Sequence, residues 1–124
     1  MASIYVLASA LESCDALVEL LSHIGHSASC FTDKLSALAG LKSTKPDLVL
    51  LEAVMPADVG FDVLSAVRAT PRLTKVPVVM YSTDEDTAAR TRARTAGVDV
   101  YIVKGAGYDG LLQRLKPLLD ALPS

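Results

Sequence analysis

Residues 46–68 read PDLVLLEAVMPADVGFDVLSAVR, and this stretch decides the fold. It contains an uninterrupted apolar run at residues 48–51. A strand with one face in water would alternate apolar and polar residues, whereas this run is typical of a central parallel strand covered by helices on both faces. After a loop, residues 61–69 carry Val63, Leu64 and Val67 at helical spacing. The stretch therefore predicts one strand–helix unit of an α/β domain.

The same alternation continues in both directions along the chain. Further strands are predicted at residues 4–7, 27–31, 76–81 and 100–103, and further helices at 11–24, 33–42, 83–96 and 108–122. Repeated strand–helix units of this kind predict a doubly wound parallel sheet with right-handed crossovers.

Sites in such sheets form just beyond the carboxyl ends of the strands. In this chain that rule selects the residues that follow four of the strands as candidate site residues: Ala8, Ser9, Glu52, Ser82, Thr83, Lys104 and Gly105.

Three local signals set expectations for the helices. Ser9 and Glu12 have the S-x-x-E spacing of a capping box, so Ser9 is expected to cap the first helix. Ser82 and Glu85 have the same spacing at the start of the fourth helix. Pro117 lies within the predicted fifth helix, where its missing amide donor should bend or split the helix.

Composition excludes several classes of protein. The 124 residues suit a single domain covering residues 1–124, and 51% of them are apolar. A net charge of −2 provides no electrostatic footprint for nucleic acid or a membrane surface, and no apolar run approaches a membrane span. Cys14 and Cys30 have no metal or redox spacing, so buried free thiols in a cytoplasmic protein are expected.

Three segments, in this order, resemble the motifs of bacterial response-regulator receiver domains, in particular the chemotaxis type. Residues 46–68 resemble the stretch around the phosphoacceptor, residues 76–83 (VPVVMYST) the fourth strand, and residues 96–105 (AGVDVYIVKG) the fifth strand. The resemblance covers essentially the whole chain. It implies a flavodoxin-like (βα)5 fold with strand order 2-1-3-4-5.

The resemblance also implies roles for individual positions. In this family an aspartate after the third strand accepts a phosphoryl group from a histidine kinase, beside two acidic residues that hold Mg²⁺. By resemblance, Ser82 is the Ser/Thr switch, Tyr101 the aromatic switch and Lys104 the active-site lysine. The fourth helix, fifth strand and fifth helix form the output face.

The chain departs from the family pattern at the phosphorylation site. Ala8 and Ser9 replace the acidic pair, Glu52 replaces the acceptor aspartate, and Gly105 replaces the proline after the lysine. Since Mg²⁺ is held in such sites mainly by carboxylates, we expect no metal site and no cofactor. Phosphoryl transfer depends on positioning and on charge neutralisation by the metal, so transfer to Glu52 is not expected.

Two features leave alternatives open. An ion pair of Glu52 with Lys104 either imitates the phosphorylated state, with one charge in place of nearly two, or is inert. Arg90 and Arg94 share one face of the fourth helix, and Arg92 points elsewhere. That face is either simply solvated or docks an acidic partner or a second copy of the chain.

These observations predict a receiver that acts as a phosphorylation-independent protein-interaction module in two-component-type signalling, and that is not an enzyme. One alternative is a receiver still phosphorylated on Glu52 or on a nearby acid such as Asp58. Another is a flavodoxin-like domain that binds a small anion or nucleotide between Ser82 and Lys104.

Overall fold

The computed structural model describes residues 2–43, 45–52, 59–82, 87–103 and 107–122. Strands and helices alternate in the order β1 (Ser3–Leu7), α1 (Leu11–His23), β2 (Ser27–Phe31), α2 (Lys34–Ser43), β3 (Leu48–Glu52), α3 (Val59–Ala69), β4 (Val78–Ser82), α4 (Thr87–Ala96), β5 (Val100–Val103) and α5 (Gly107–Asp120). A short 3₁₀ helix, Pro71–Leu73, lies between α3 and β4. No helix in the described ranges is both long and apolar enough to cross a membrane.

The five strands form one parallel sheet in the order β2-β1-β3-β4-β5. This confirms the predicted flavodoxin-like (βα)5 fold and its strand order 2-1-3-4-5. Every residue of β3 and β4 is buried, as expected for strands covered on both faces. The edge strand β2 contains no fully buried residue.

Two apolar clusters sandwich the sheet, one on each face. Side chains alternate along a strand, so Ile4 and Val6 of β1 belong to one cluster, and Tyr5 and Leu7 to the other. Helices α1 and α5 cover the first face with Cys14, Leu17, Leu21, Leu111, Leu115 and Leu119. Helices α2, α3 and α4 cover the second with Ala37, Leu41, Val63, Leu64, Val67 and Ala93.

Arg68 ties α3 to the segments that precede β4 and β5. Its guanidinium donates to the Gly97 carbonyl from Nε at 3.1 Å and from Nη2 at 2.7 Å. It also donates to the carbonyls of Thr74 at 2.9 Å and Val76 at 2.8 Å, and it pairs with Asp99 at 2.8 Å. This side chain therefore fixes the edge of the sheet opposite the candidate site.

Helix α5 is continuous through Pro117, so the expectation that the proline splits this helix is wrong. The amide of Ala121 still donates to the Pro117 carbonyl at 3.2 Å. Pro117 lies on the exposed side of α5, while Leu115 and Leu119 are buried on either side of it in sequence. Packing of the apolar face maintains the helix despite the missing donor.

The prediction of free thiols is also wrong, because Cys14 and Cys30 form a disulfide with Cα atoms 5.5 Å apart. Helix α1 packs along β2, which brings together two residues separated by 16 positions in sequence. Because both cysteines are paired, they no longer support a cytoplasmic location. That location stays a prediction.

Candidate functional site

The candidate site lies at the carboxyl edge of the sheet, where β1, β3 and β4 end. β1 is followed by Ala8 and Ser9, and β3 and β4 end with Glu52 and Ser82. Among the described residues, Glu52 and Ser82 are the buried polar or charged side chains, with 2% and 4% of their surfaces exposed. Neighbouring parallel strands thus bring these predicted site residues to one edge.

Ser9 binds Glu52 directly. Its backbone amide donates to Glu52 Oε1 at 2.9 Å, and its hydroxyl donates to the same oxygen at 2.5 Å. The helix α1 has Ala10 as its N-cap residue, with no side-chain cap. The predicted Ser9–Glu12 capping box is therefore wrong: the hydroxyl of Ser9 is used across the sheet edge, since a carboxylate is a stronger acceptor than a neutral group.

Ala8 precedes Ser9 in the segment between β1 and α1. It is fully buried, and its backbone amide donates to the carbonyl of Phe31, at the end of β2, at 3.0 Å. The segment between β1 and α1 is thus fastened on one side to β2 and on the other side to β3. The side chains of Ala8 and Ser9, the two positions of the replaced acidic pair, offer one methyl group and one hydroxyl.

Tyr81 lies beside the site on β4, in register with Glu52. Burial raises the pKa of the Tyr81 hydroxyl, and the nearby charges of Tyr108 and Glu52 raise it further.

Several predicted site residues fall outside the described ranges. These are Thr83, Lys104 and Gly105, together with Glu85 and Asp58. The ion pair of Glu52 with Lys104, and capping of α4 by Ser82, therefore stay predictions.

Tyr101 and the predicted arginines of α4 form a second cluster, at the edge strand β5. The Arg90 guanidinium lies 5.7 Å from the centre of the Tyr101 ring, within cation–π range. Arg90, Arg94 and Tyr101 line an open cavity of about 260 Å³, together with residues 98–100 and Arg114 of α5. We call this cavity the arginine pocket.

Two further arginines, Arg92 and Arg114, bear on the predicted output face. Arg92 points away from the arginine pocket, as the helical spacing predicts, and lies 3.9 Å from the centre of the Phe61 ring on α3. Arg114 lies on α5, an element of the predicted output face, but was not among the residues predicted for that face. Its position follows from the packing of α5 beside β5, for which the sequence carries no local signal.

The sequence of residues 10–116 matches the family described as "Response regulator receiver domain". The chain belongs to this family. This receiver is 30% identical over 100 residues to the "Gliding motility regulatory protein" of Myxococcus xanthus. The match covers 80% of the receiver and 13% of that protein. It is 29% identical over 105 residues to "Response regulator MprA" of Mycobacterium sp. (strain KMS), covering 85% of the receiver and 45% of that protein. The receiver thus spans less than half the length of these curated relatives.

The solved structures agree with the fold. The receiver matches the chemotaxis response regulator CheY4 of Vibrio cholerae with a TM-score of 0.86 and 21% identity, covering 95% of this chain and 98% of that one. At this identity the match supports the fold alone. Family membership makes the chain a receiver domain of two-component signalling, a class of module that works through signalling partners.

Proposed function

We propose that this receiver is a protein-interaction module that works without phosphorylation and without Mg²⁺. The observation that carries the proposal is the pair of hydrogen bonds from Ser9 to Glu52 Oε1. They occupy the position where a receiver of the usual pattern has its acidic pair beside its acceptor aspartate.

The side chains at this edge do not suit Mg²⁺ as ligands. This ion requires several oxygen ligands in near-octahedral geometry and is held mainly by carboxylates. Ala8 offers no side-chain ligand, and the Ser9 hydroxyl directs its proton at Glu52. Within the described ranges, no three histidine, cysteine or acidic side chains cluster as a metal site would need. The residues at this edge therefore do not fit a Mg²⁺ ion.

Phosphoryl transfer to Glu52 has little support for the same reason. Such transfer relies on in-line positioning and on cations that neutralise the developing charge. Glu52 is 2% exposed, and one of its oxygens already accepts two hydrogen bonds from Ser9. In this proposal Glu52 acts as a fixed negative group that holds the β1–α1 connection to β3.

The partner surface is the face formed by α4, β5 and α5, centred on the arginine pocket. None of its three arginines forms an ion pair with an acidic group of the described residues. Among the described residues of its lining the acid is Asp99, which is already bound by Arg68 at 2.8 Å and by the amide of Val78 at 2.7 Å. Three guanidinium groups around an open cavity favour an anionic partner, and we propose an acidic segment of a signalling protein.

Charge reversal tests this surface. A short fluorescein-labelled polyglutamate peptide serves as the probe, with binding followed by fluorescence anisotropy at two salt concentrations. We expect R90E/R94E to weaken binding by about tenfold or more. The matched control K42E/K75E changes two exposed cations elsewhere and should leave binding nearly unchanged.

Equal loss in both variants would refute a localised site. Sedimentation analysis of the same proteins tests the other occupant: a concentration-dependent dimer that R90E/R94E abolishes would assign the face to a second copy instead.

Phosphorylation is tested separately, by intact mass after incubation with Mg²⁺ and acetyl phosphate. An unchanged mass supports the proposal, and a phosphoryl adduct that E52Q abolishes would restore Glu52 as an acceptor. In this proposal the module works in the cytoplasm, and residues 1–124 form one receiver unit without catalytic activity of its own.

A further inference from the structure

The disulfide between Cys14 and Cys30 joins the first helix to an edge strand. Cys14 is the fourth residue of α1, and Cys30 is next to the last residue of β2. Most cytoplasmic thiols are kept reduced, and the disulfides that do form there are usually transient or redox-sensing. For a receiver that works in the cytoplasm, as proposed above, this disulfide therefore calls for a functional explanation.

The disulfide is open to solvent on one side. Both cysteines line a cavity of about 510 Å³ between α1 and β2, together with Leu11, Asp15 and Glu19. Leu11, at the rim, is 69% exposed. Cys14 is almost fully buried, whereas Cys30 is half-buried. An attacking thiol thus reaches Cys30 more readily than Cys14.

The disulfide is also linked to the Glu52 site through a short path. The amide of Cys14 donates to the carbonyl of Ala10 at 3.1 Å, in the first turn of α1. One residue earlier, Ser9 donates twice to Glu52. On the other side, Phe31 follows Cys30 and its carbonyl accepts the amide of Ala8. The disulfide therefore joins the start of α1 to the end of β2. These two segments are the ones that flank Ala8 and Ser9.

We propose that Cys14–Cys30 is a redox modification site that exchanges reversibly with a dithiol reductant and so controls how firmly Ser9 holds Glu52. A thiolate of the reductant attacks the sulfur of Cys30, and Cys14 leaves as a thiolate that takes up a proton. The second thiol of the reductant then breaks the mixed disulfide, releasing Cys30 as a thiol and the reductant as its own disulfide. Two electrons and two protons are transferred, and the reverse reaction needs a disulfide of the same class.

The first test is a redox titration of the whole chain with reduced and oxidised dithiothreitol. N-ethylmaleimide labelling and intact mass then count the free thiols. We expect no label on either cysteine at the oxidising end, label on both at the reducing end, and complete return on reoxidation. Two reactive thiols in excess oxidised dithiothreitol would overturn the proposal.

The second test measures coupling to the site by amide NMR of the oxidised and reduced protein. We expect the amide resonance of Ser9 to shift or broaden on reduction, while that of Gly97, at the opposite edge of the sheet, stays in place. The variant C14S/C30S should give the amide spectrum of the reduced protein, and dithiothreitol should not change that spectrum. Should that variant fail to fold, the reduced wild-type protein provides the same comparison.

Reduction should also lower the thermal midpoint by about 10 °C, since the bond closes a loop between residues 16 positions apart. A disulfide that forms and breaks while the Ser9 resonance stays fixed would show a structural bond without control of the site, and would refute the proposal. This outcome is independent of whether Glu52 accepts a phosphoryl group.

Discussion

Replacing Ser9 with alanine isolates the contact on which the candidate site depends. The change removes the hydroxyl that donates to Glu52 Oε1 at 2.5 Å and leaves the backbone amide donor at 2.9 Å in place. A hydrogen bond to a charged group contributes about 1.5–3 kcal/mol. Because Ser9 is exposed, water can replace part of the lost interaction, so we expect a cost at the lower end, about 1.5 kcal/mol.

The expected cost is measurable by thermal unfolding. For a chain of 124 residues the entropy of unfolding is about 260 cal/mol/K, so 1 kcal/mol corresponds to a shift of about 4 °C. The midpoint of S9A should therefore fall by about 6 °C. The control S65A removes an exposed hydroxyl of α3 and should stay within about 0.5 kcal/mol of the wild type.

A double-mutant cycle with E52Q separates this contact from other effects of each change. We expect a coupling free energy of about 1 kcal/mol between positions 9 and 52. If S9A is as stable as S65A, or if the two positions show no coupling, the hydrogen bond does not hold the site together and the reasoning fails.

Three further stability predictions follow from contacts elsewhere, each checked by urea unfolding. R68A should cost about 3 kcal/mol, because several carbonyls lose a charged donor, and R68K should recover less than half; near-wild-type stability of R68A would contradict this. Gly25 (φ 90°) and Gly97 (φ 111°) both have left-handed backbones, so G25A should cost about 1 kcal/mol and G97A about 2 kcal/mol. G97A should cost more because the new Cβ would lie 3.1 Å from Arg68 Nε, whereas Gly25 faces open space; equal costs would refute that reason. P117A should stabilise α5 by about 1–2 kcal/mol by restoring an amide donor, and a loss of stability would show that the ring makes a needed contact.

The strands and helices could be predicted because burial is reflected directly in the pattern of apolar residues along the chain. The unbroken apolar run of β3 follows from being covered on both faces, and this places the strand at the centre of the sheet. The position of Glu52 follows in turn, since side chains just beyond such strands meet at one edge. The strand–helix alternation and the location of the candidate site were therefore predictable from local patterns, whereas the strand order followed from the family resemblance.

The contacts within the site were not predictable in the same way. Ser9 and Glu52 are 43 positions apart, and the local S-x-x-E pattern pointed to a competing partner for Ser9. The disulfide depends on how α1 lies against β2, and Arg114 reaches the arginine pocket only because α5 packs beside β5. Each of these contacts is set by tertiary packing.

The most direct test of the central claim is an amide NMR titration with Mg²⁺, followed by beryllofluoride. The variant A8D/S9D/E52D, which restores the acidic pair and the acceptor aspartate, serves as the positive control. We predict that the wild-type resonances of Ser9, Glu52 and Ser82 do not move, while those of the variant shift and saturate. Saturable shifts at these residues in the wild type, extending to Tyr101, would contradict a receiver that works without metal and phosphoryl group.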